Sequence, residues 1–129
     1  MFHLYSKGCE YTLRALICGL EMTNGQGFRV EDACRVAEVP ESFTRKGFQR
    51  LAHQGVLKAV RGPGGGYHLQ GSASDISILE IVRLVDGKEI YEHCVMGLSQ
   101  CGDKAPCPIH KIWKKMKKAL MGELSRTSL

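Results

Sequence analysis

The sequence predicts a mostly α-helical fold that carries one small β-hairpin and ends in a long helix. Three observations predict it. Apolar residues recur at the i, i+3, i+4, i+7 spacing of amphipathic helices in five segments. A single pair of β-type runs flanks a Gly/Pro-rich tip. The 129 residues are 43% hydrophobic and 24% charged, the composition of one globular domain with at most a short appendage. No apolar run approaches the roughly 18–20 residues of a membrane span, and the first residues lack the apolar core and cleavage site of a secretory signal, so a cytoplasmic protein without a membrane partner is expected.

The elements follow in order. Residues 9–23 place Leu13, Leu16, Ile17 and Leu20 on one helical stripe, stopped by Asn24-Gly25-Gln26-Gly27. A short helix over 31–38 sets Ala33, Val36 and Ala37 on one face, and Val39-Pro40 turns the chain into a third helix over 41–54. Phe43, Phe48, Leu51 and Ala52 form its apolar side. Arg45, Lys46 and Arg50 make the exposed side basic, with Ser42, Thr44 and Gln49 beside them. Two short helices joined by a tight turn, the second one basic, constitute a helix-turn-helix candidate. Gly55 ends the third helix. Residues 56–60 and 67–70 then read as strands around Arg61-Gly62-Pro63-Gly64-Gly65-Gly66. A hairpin directly after a helix-turn-helix is a wing, and Arg61 at its base suits the negative potential of a minor groove.

Ser72-Ala73-Ser74-Asp75 reads as a linker. A helix over 76–85 follows, with a Ser77/Glu80 capping box and a stripe of Ile78, Ile81, Val82 and Val85, closed by Asp86-Gly87. The last helix, over 108–124, carries Ile109, Ile112, Trp113, Met116, Leu120 and Leu124 on one stripe. So small a domain has little core left for this face to cover, so a second copy of the chain is expected on it, with Ile112, Trp113, Met116 and Leu120 as dimer contacts. The lysines at 111, 114, 115, 117 and 118 are read as the solvated side of that helix.

Charge and cysteines narrow the function. With 18 Lys and Arg against 13 Asp and Glu, the chain carries +5, which permits a nucleic-acid partner without requiring one. Six cysteines without an export signal do not suit a disulfide framework. Cys9, Cys18 and Cys34 fall on helical patterns and are read as packing residues. Cys94, Cys101 and Cys107 lie on a loop interrupted by Gly, Pro and Ser, spaced C-x6-C-x5-C-x2-H with His110. Zinc sites favour paired short spacings such as C-x2-C, which are absent here. Wider thiolate spacing suits a larger object such as an iron–sulfur cluster.

The run Leu51-Ala52-His53-Gln54-Gly55-Val56-Leu57-Lys58-Ala59-Val60-Arg61-Gly62-Pro63-Gly64-Gly65-Gly66-Tyr67 closely resembles the wing signature of the bacterial IscR/NsrR-type winged-helix iron–sulfur regulators. Ser77-Ile78-Leu79-Glu80-Ile81-Val82, the three-cysteine loop, and His110 with Trp113 leading into the last helix extend the resemblance over essentially the whole chain. It implies a winged helix-turn-helix DNA-binding domain over 1–71, and a cluster loop with a dimerisation helix over 72–129. It implies a homodimeric transcription regulator whose cluster governs binding to palindromic double-stranded operators. Cys94, Cys101 and Cys107 become thiolate ligands. The fourth ligand is His110 in the IscR-like pattern, or Glu10 supplied by the other subunit in the NsrR-like pattern. Both residues are present, so [2Fe–2S] and [4Fe–4S] clusters both stay open. Ser42, Thr44, Arg45 and Lys46 match the base-reading positions, with Arg50 and Arg61 as further contacts. Thr44 and Gly47 depart from the larger aliphatics common in that family, and Gly47 is expected to loosen the reading helix.

Other classes remain for comparison. A cluster-free regulator would use the loop cysteines as redox thiols or a zinc site, aided by Lys104 and Lys111 nearby. An enzyme is not expected: no nucleophile–base pair is evident, and the glycines at 62–66 lack the Lys-Ser/Thr of a phosphate loop.

Overall fold

The computed structural model describes residues 4–24, 26–62, 65–93, 96 and 102–129. Among them run α1 (Lys7–Met22), α2 (Val30–Ala37), α3 (Glu41–His53), β1 (Leu57–Val60), β2 (Gly66–Leu69), a single 3-10 turn (Ala73–Asp75), α4 (Ile78–Asp86) and α5 (His110–Arg126). The mostly helical fold with a hairpin wing is therefore as the sequence predicts, and helix bounds agree to within two residues.

Local chemistry sets those bounds. Ser6 caps α1 by accepting the Cys9 N–H at 3.1 Å, which starts the helix earlier than its apolar stripe suggests. Ser77 caps α4 in the same way, accepting the Glu80 N–H at 3.1 Å. The turn between α2 and α3 is made at Glu38, which adopts a left-handed conformation with φ 57°. Its N–H reaches the carbonyls of Arg35 and Cys34, so the turn begins before Val39-Pro40.

β1 and β2 pair antiparallel in the register Leu57↔Leu69, Lys58↔His68, Ala59↔Tyr67 and Val60↔Gly66. A third strand-like contact anchors the hairpin. Phe28 N–H donates to the Tyr67 carbonyl at 2.9 Å, and Tyr67 N–H to the Phe28 carbonyl at 2.7 Å. Gly66 makes the approach possible, since a Cβ there would lie 2.3 Å from the Phe28 carbonyl oxygen and its φ is +139°.

One core joins these parts. Phe48, Leu16, Leu51, Leu57, Ile81 and Val82 are its largest fully buried apolar side chains. Phe48 stands edge-on to both Phe28 (centroids 5.8 Å) and Tyr67 (5.5 Å), so α3, the α1–α2 connection and the wing share one aromatic cluster. Ile81 and Val82 of α4 lie in the same core, which draws on residues from both sides of position 71. α5 has no buried residue. Leu120, Met121 and Leu124 rest half-buried against the core, and the chain end is held by Ile78 N–H on the Thr127 carbonyl (2.8 Å) and Leu129 N–H on the Ile76 carbonyl (3.2 Å).

In each of the first three helices most of the expected apolar stripe is buried or half-buried, and one member of it is not. Ile17, Val36 and Phe43, expected in apolar stripes, are exposed. In α3 the inner face is Thr44, Gly47, Phe48 and Leu51, because α1 crosses so closely that a Cβ on Gly47 would lie 1.9 Å from the Thr12 hydroxyl oxygen. Gly47 thus lets the two helices fit together at this crossing. Gly47→Ala is expected to destabilise the protein by about 1–3 kcal/mol through overpacking against fully buried Thr12. The check is the urea midpoint, and an unchanged midpoint would mean that α1 can move aside freely.

Candidate functional site

Two regions gather the chemistry that the sequence singled out: the outer face of α3 beside the wing, and the loop entering α5.

On α3, Ser42, Lys46 and Gln49 are exposed along one face. Thr44, expected among them, is fully buried, and its hydroxyl donates to the Pro40 carbonyl at 2.8 Å. It is a core residue closing the first turn of α3, and not a DNA contact. Phe43 takes a place on the outside, 57% exposed and tilted against the Tyr11 ring at 6.4 Å.

Arg45 does not reach freely into solvent. Its Nε donates to Glu41 Oε1 at 2.9 Å, and its Nη2 donates to both Glu41 and Glu31. These partners raise the guanidinium's affinity for its proton, Glu41 foremost. Glu31, bonded to its own backbone N–H in the first turn of α2 and then to Arg45, is held below the usual carboxylate range. The Glu41–Arg45 pair has the i, i+4 spacing that sequence can signal. Glu31 comes from another helix and could not be found that way. Arg50 is exposed, yet its Nη1 donates to the Val85 carbonyl near the C-terminal end of α4, so it also ties two helices together. Arg61 is exposed at the base of the wing. Between α2, Arg45 and the wing lies a groove of about 440 Å³ lined by Arg29, Glu31, Val60, Gly62 and Gly65. Thus Ser42, Arg45, Lys46, Arg50 and Arg61 are at the surface, with Arg45 and Arg50 already engaged.

At the other region, Cys94 and Cys101 lie outside the described residues. Cys107 is buried just ahead of α5, and the His110 N–H donates to its carbonyl at 3.0 Å, placing Cys107 and His110 one turn apart. His110 Nε2 lies 3.1 Å from Asp103 Oδ1, and Lys114 Nζ reaches both Asp103 oxygens at 2.9 and 2.8 Å. Lys114, followed by His110, holds the Asp103 carboxyl below its ordinary range. Glu10 sits in the first turn of α1 with Lys7 Nζ at 2.9 Å. Within one chain, among the described residues, no group of three or more His, Cys, Asp or Glu side chains comes together as a metal site.

The remaining thiols behave as packing residues. Burial pushes the fully buried Cys9 thiol up to about 12, with Asp86 adding to it, and burial also raises Cys34. Such thiols stay protonated and make poor ligands. Cys18 is half-buried against the core.

Two linkages were not visible in the sequence. The Ser6 N–H donates to Asp86 Oδ2 at 2.8 Å, joining the start of α1 to the end of α4. The Trp113 indole N–H donates to the His93 carbonyl at 3.2 Å, tying α5 to the residue before Cys94. On α5 itself Ile112 is 63% and Met116 56% exposed, Trp113 is half-buried, and Leu120 leans on its own chain's core. The predicted dimer stripe therefore divides, with Ile112 and Met116 outward and Leu120 inward.

Comparison with known proteins agrees with this architecture. The Rrf2 family model, described as an iron-dependent transcriptional regulator, matches residues 5–129. The HTH-type transcriptional regulator IscR of Klebsiella pneumoniae is 37% identical over 89 residues, covering 68% of this chain and 53% of that protein. This chain thus spans about half the length of that relative. A protein of Aquifex aeolicus, named as of the HTH-type transcriptional regulator kind, is 28% identical over 128 residues, 98% of this chain and 88% of its own. Among solved structures, T. potens IscR superposes with a TM-score of 0.74 at 20% identity, covering 98% of this chain and 82% of that one. CymR, the global cysteine regulator of B. subtilis, superposes at 0.75 with 20% identity, covering 99% and 93%. These two share the fold. The relatives are regulators of transcription and not enzymes, and among the described residues no helix is long and apolar enough to cross a membrane. With a family match that takes in all but the first four residues, the chain belongs to the Rrf2 family of transcriptional regulators.

Proposed function

We propose that this chain is a homodimeric, cytoplasmic DNA-binding regulator whose affinity for a palindromic operator is set by an iron–sulfur cluster. Residues 1–71 read DNA through Ser42, Arg45, Lys46 and Arg50 on α3 and Arg61 on the wing. Residues 72–129 hold the cluster and pair the subunits through Ile112, Met116 and Trp113. The observation that carries the sensing half is the placement of Cys107 and His110 one turn apart at the start of α5, with Asp103 beside the imidazole. A carboxylate on the second nitrogen is the usual support of a metal-bound histidine.

The donor chemistry fits the group: Cys94, Cys101 and Cys107 would supply three thiolates, and His110, or Glu10 from the other subunit, the fourth ligand. When bound, the cluster supplies iron whose charge and ligation respond to iron supply, oxidants or NO. The chain's own residues carry the response. Trp113 binds the His93 carbonyl, Cys107 leads straight into α5, and Leu120 and Leu124 of α5 rest on the core that supports α3. A change in the loop therefore bears on the helix that pairs the subunits. Two recognition helices must stand about one DNA turn apart, roughly 34–36 Å, to read a palindrome.

Selection of bound fragments from a random duplex pool tests the DNA-reading half. The retained fragments are expected to converge on a two-fold symmetric motif. Lys46→Ala and Arg61→Ala are each expected to weaken binding, lowering the salt slope by about 0.9 where the lost contact is to phosphate. Retention of no common motif would contradict the reading.

A further inference from the structure

We propose that Glu31 and Glu41 form a carboxylate clamp that withholds Arg45 from the DNA phosphates, so that Arg45 adds sequence selectivity without adding sequence-independent affinity. The inference deepens the DNA-binding reading of α3 and rests on it. Arg45 is the α3 cation whose guanidinium is shared between two carboxylates, one from its own helix and one from α2. Both acids sit in the first turn of their helices, where the positive ends of the helix dipoles favour negative charge. The trio is half exposed, and Glu31 and Arg45 line the groove between α2 and the wing.

A phosphate reaching Arg45 in that groove offers another singly charged oxygen acceptor, and it meets the repulsion of two carboxylates. The exchange gains little. A guanine edge offers two neutral acceptors, O6 and N7, in the geometry a guanidinium fork matches, and brings no negative charge against Glu31 and Glu41. The clamp therefore yields to a correctly placed base more readily than to the backbone. Lys46, the next residue, is exposed and pairs with no carboxylate among the described residues, so it is placed to serve the general attraction.

The test is the salt dependence of binding to a random-sequence duplex, measured by fluorescence anisotropy on the whole chain. It compares wild type, Arg45→Gln, Glu31→Gln/Glu41→Gln, and the triple variant. In the wild-type background Arg45→Gln is expected to leave the slope of log K against log salt unchanged. With both carboxylates removed, random DNA is bound more tightly, and Arg45→Gln then lowers the slope by about 0.9, the value of one phosphate contact. A loss of about 0.9 from Arg45→Gln in both backgrounds would overturn the clamp, as would no loss in either. Glu31→Gln alone, at an exposed position, provides a second variant whose melting curve should match wild type. Lys46→Gln separates the clamp from the reading beneath it. If that variant also leaves the slope unchanged, α3 does not face DNA, and both fail.

Discussion

Phe48→Ala is expected to lower the free energy of unfolding by about 3–5 kcal/mol, the range for truncating a fully buried aromatic side chain. Phe48 has no exposed surface, and its ring is the joint between three parts of the fold. It meets Phe28 at 74° and Tyr67 at 78°, while Phe28 and Tyr67 are bonded to each other through their backbones. Truncation therefore leaves a cavity where α3 meets the wing, and the wing loses its orientation to the reading helix. Domains of this kind are stable by about 5–15 kcal/mol, so the loss is a large fraction of the total. Urea unfolding followed by circular dichroism measures it. Phe43→Ala on the same helix is the control: Phe43 is more than half exposed and should cost well under half as much. Equal losses at the two positions would mean that the inner face of α3 has been assigned wrongly.

Cys107→Ala is expected to abolish cluster binding while leaving the fold intact. On the proposed reading Cys107 is one of three thiolates, and Cys9 and Cys34 are unsuited to replace it, because they lie in the core with their thiols pushed toward the protonated form. Anaerobically prepared wild-type protein should contain iron and sulfide and show visible absorbance. Cys107→Ala should lose both, and Cys34→Ala should keep both. His110→Ala and Glu10→Ala then separate the two candidate fourth ligands, since only removal of the true ligand changes the EPR spectrum of the reduced protein. A colourless wild type that binds zinc stoichiometrically would instead support a cluster-free regulator.

Much of the fold is legible because its signals are local. The cap at Ser77, the stop after residue 23, and the two paired β-runs of the wing each act through neighbours a few residues away, whereas the Ser6 cap of α1 goes unread. What escapes the sequence is set by helix crossings. Thr44 and Gly47 resemble surface residues by type, yet they face inward because small groups let α1 approach α3. Phe43 resembles core by type and faces outward as a consequence. The docking of Phe28 on Tyr67 links residues 39 apart, so no local pattern announces it.

The candidate site divides in the same way. Its basic residues could be read directly from composition and helical spacing. Their partners could not, because Glu31 reaches Arg45 from another helix and the Val85 carbonyl that Arg50 binds is a backbone group. The apolar stripe of α5 is likewise only half legible. Its spacing is evident in the sequence, but the chain's own core takes Leu120 and Leu124, while Ile112 and Met116 stay exposed.

Control of DNA binding by the cluster is tested by comparing operator affinity with and without it. Operator affinity is determined under anaerobic conditions for the same protein preparation before and after chelation removes its iron, with Cys107→Ala alongside. Affinity is expected to differ between the loaded and stripped wild type, and Cys107→Ala to match the stripped protein whether or not iron has been supplied. Identical affinity in all of these states would contradict it.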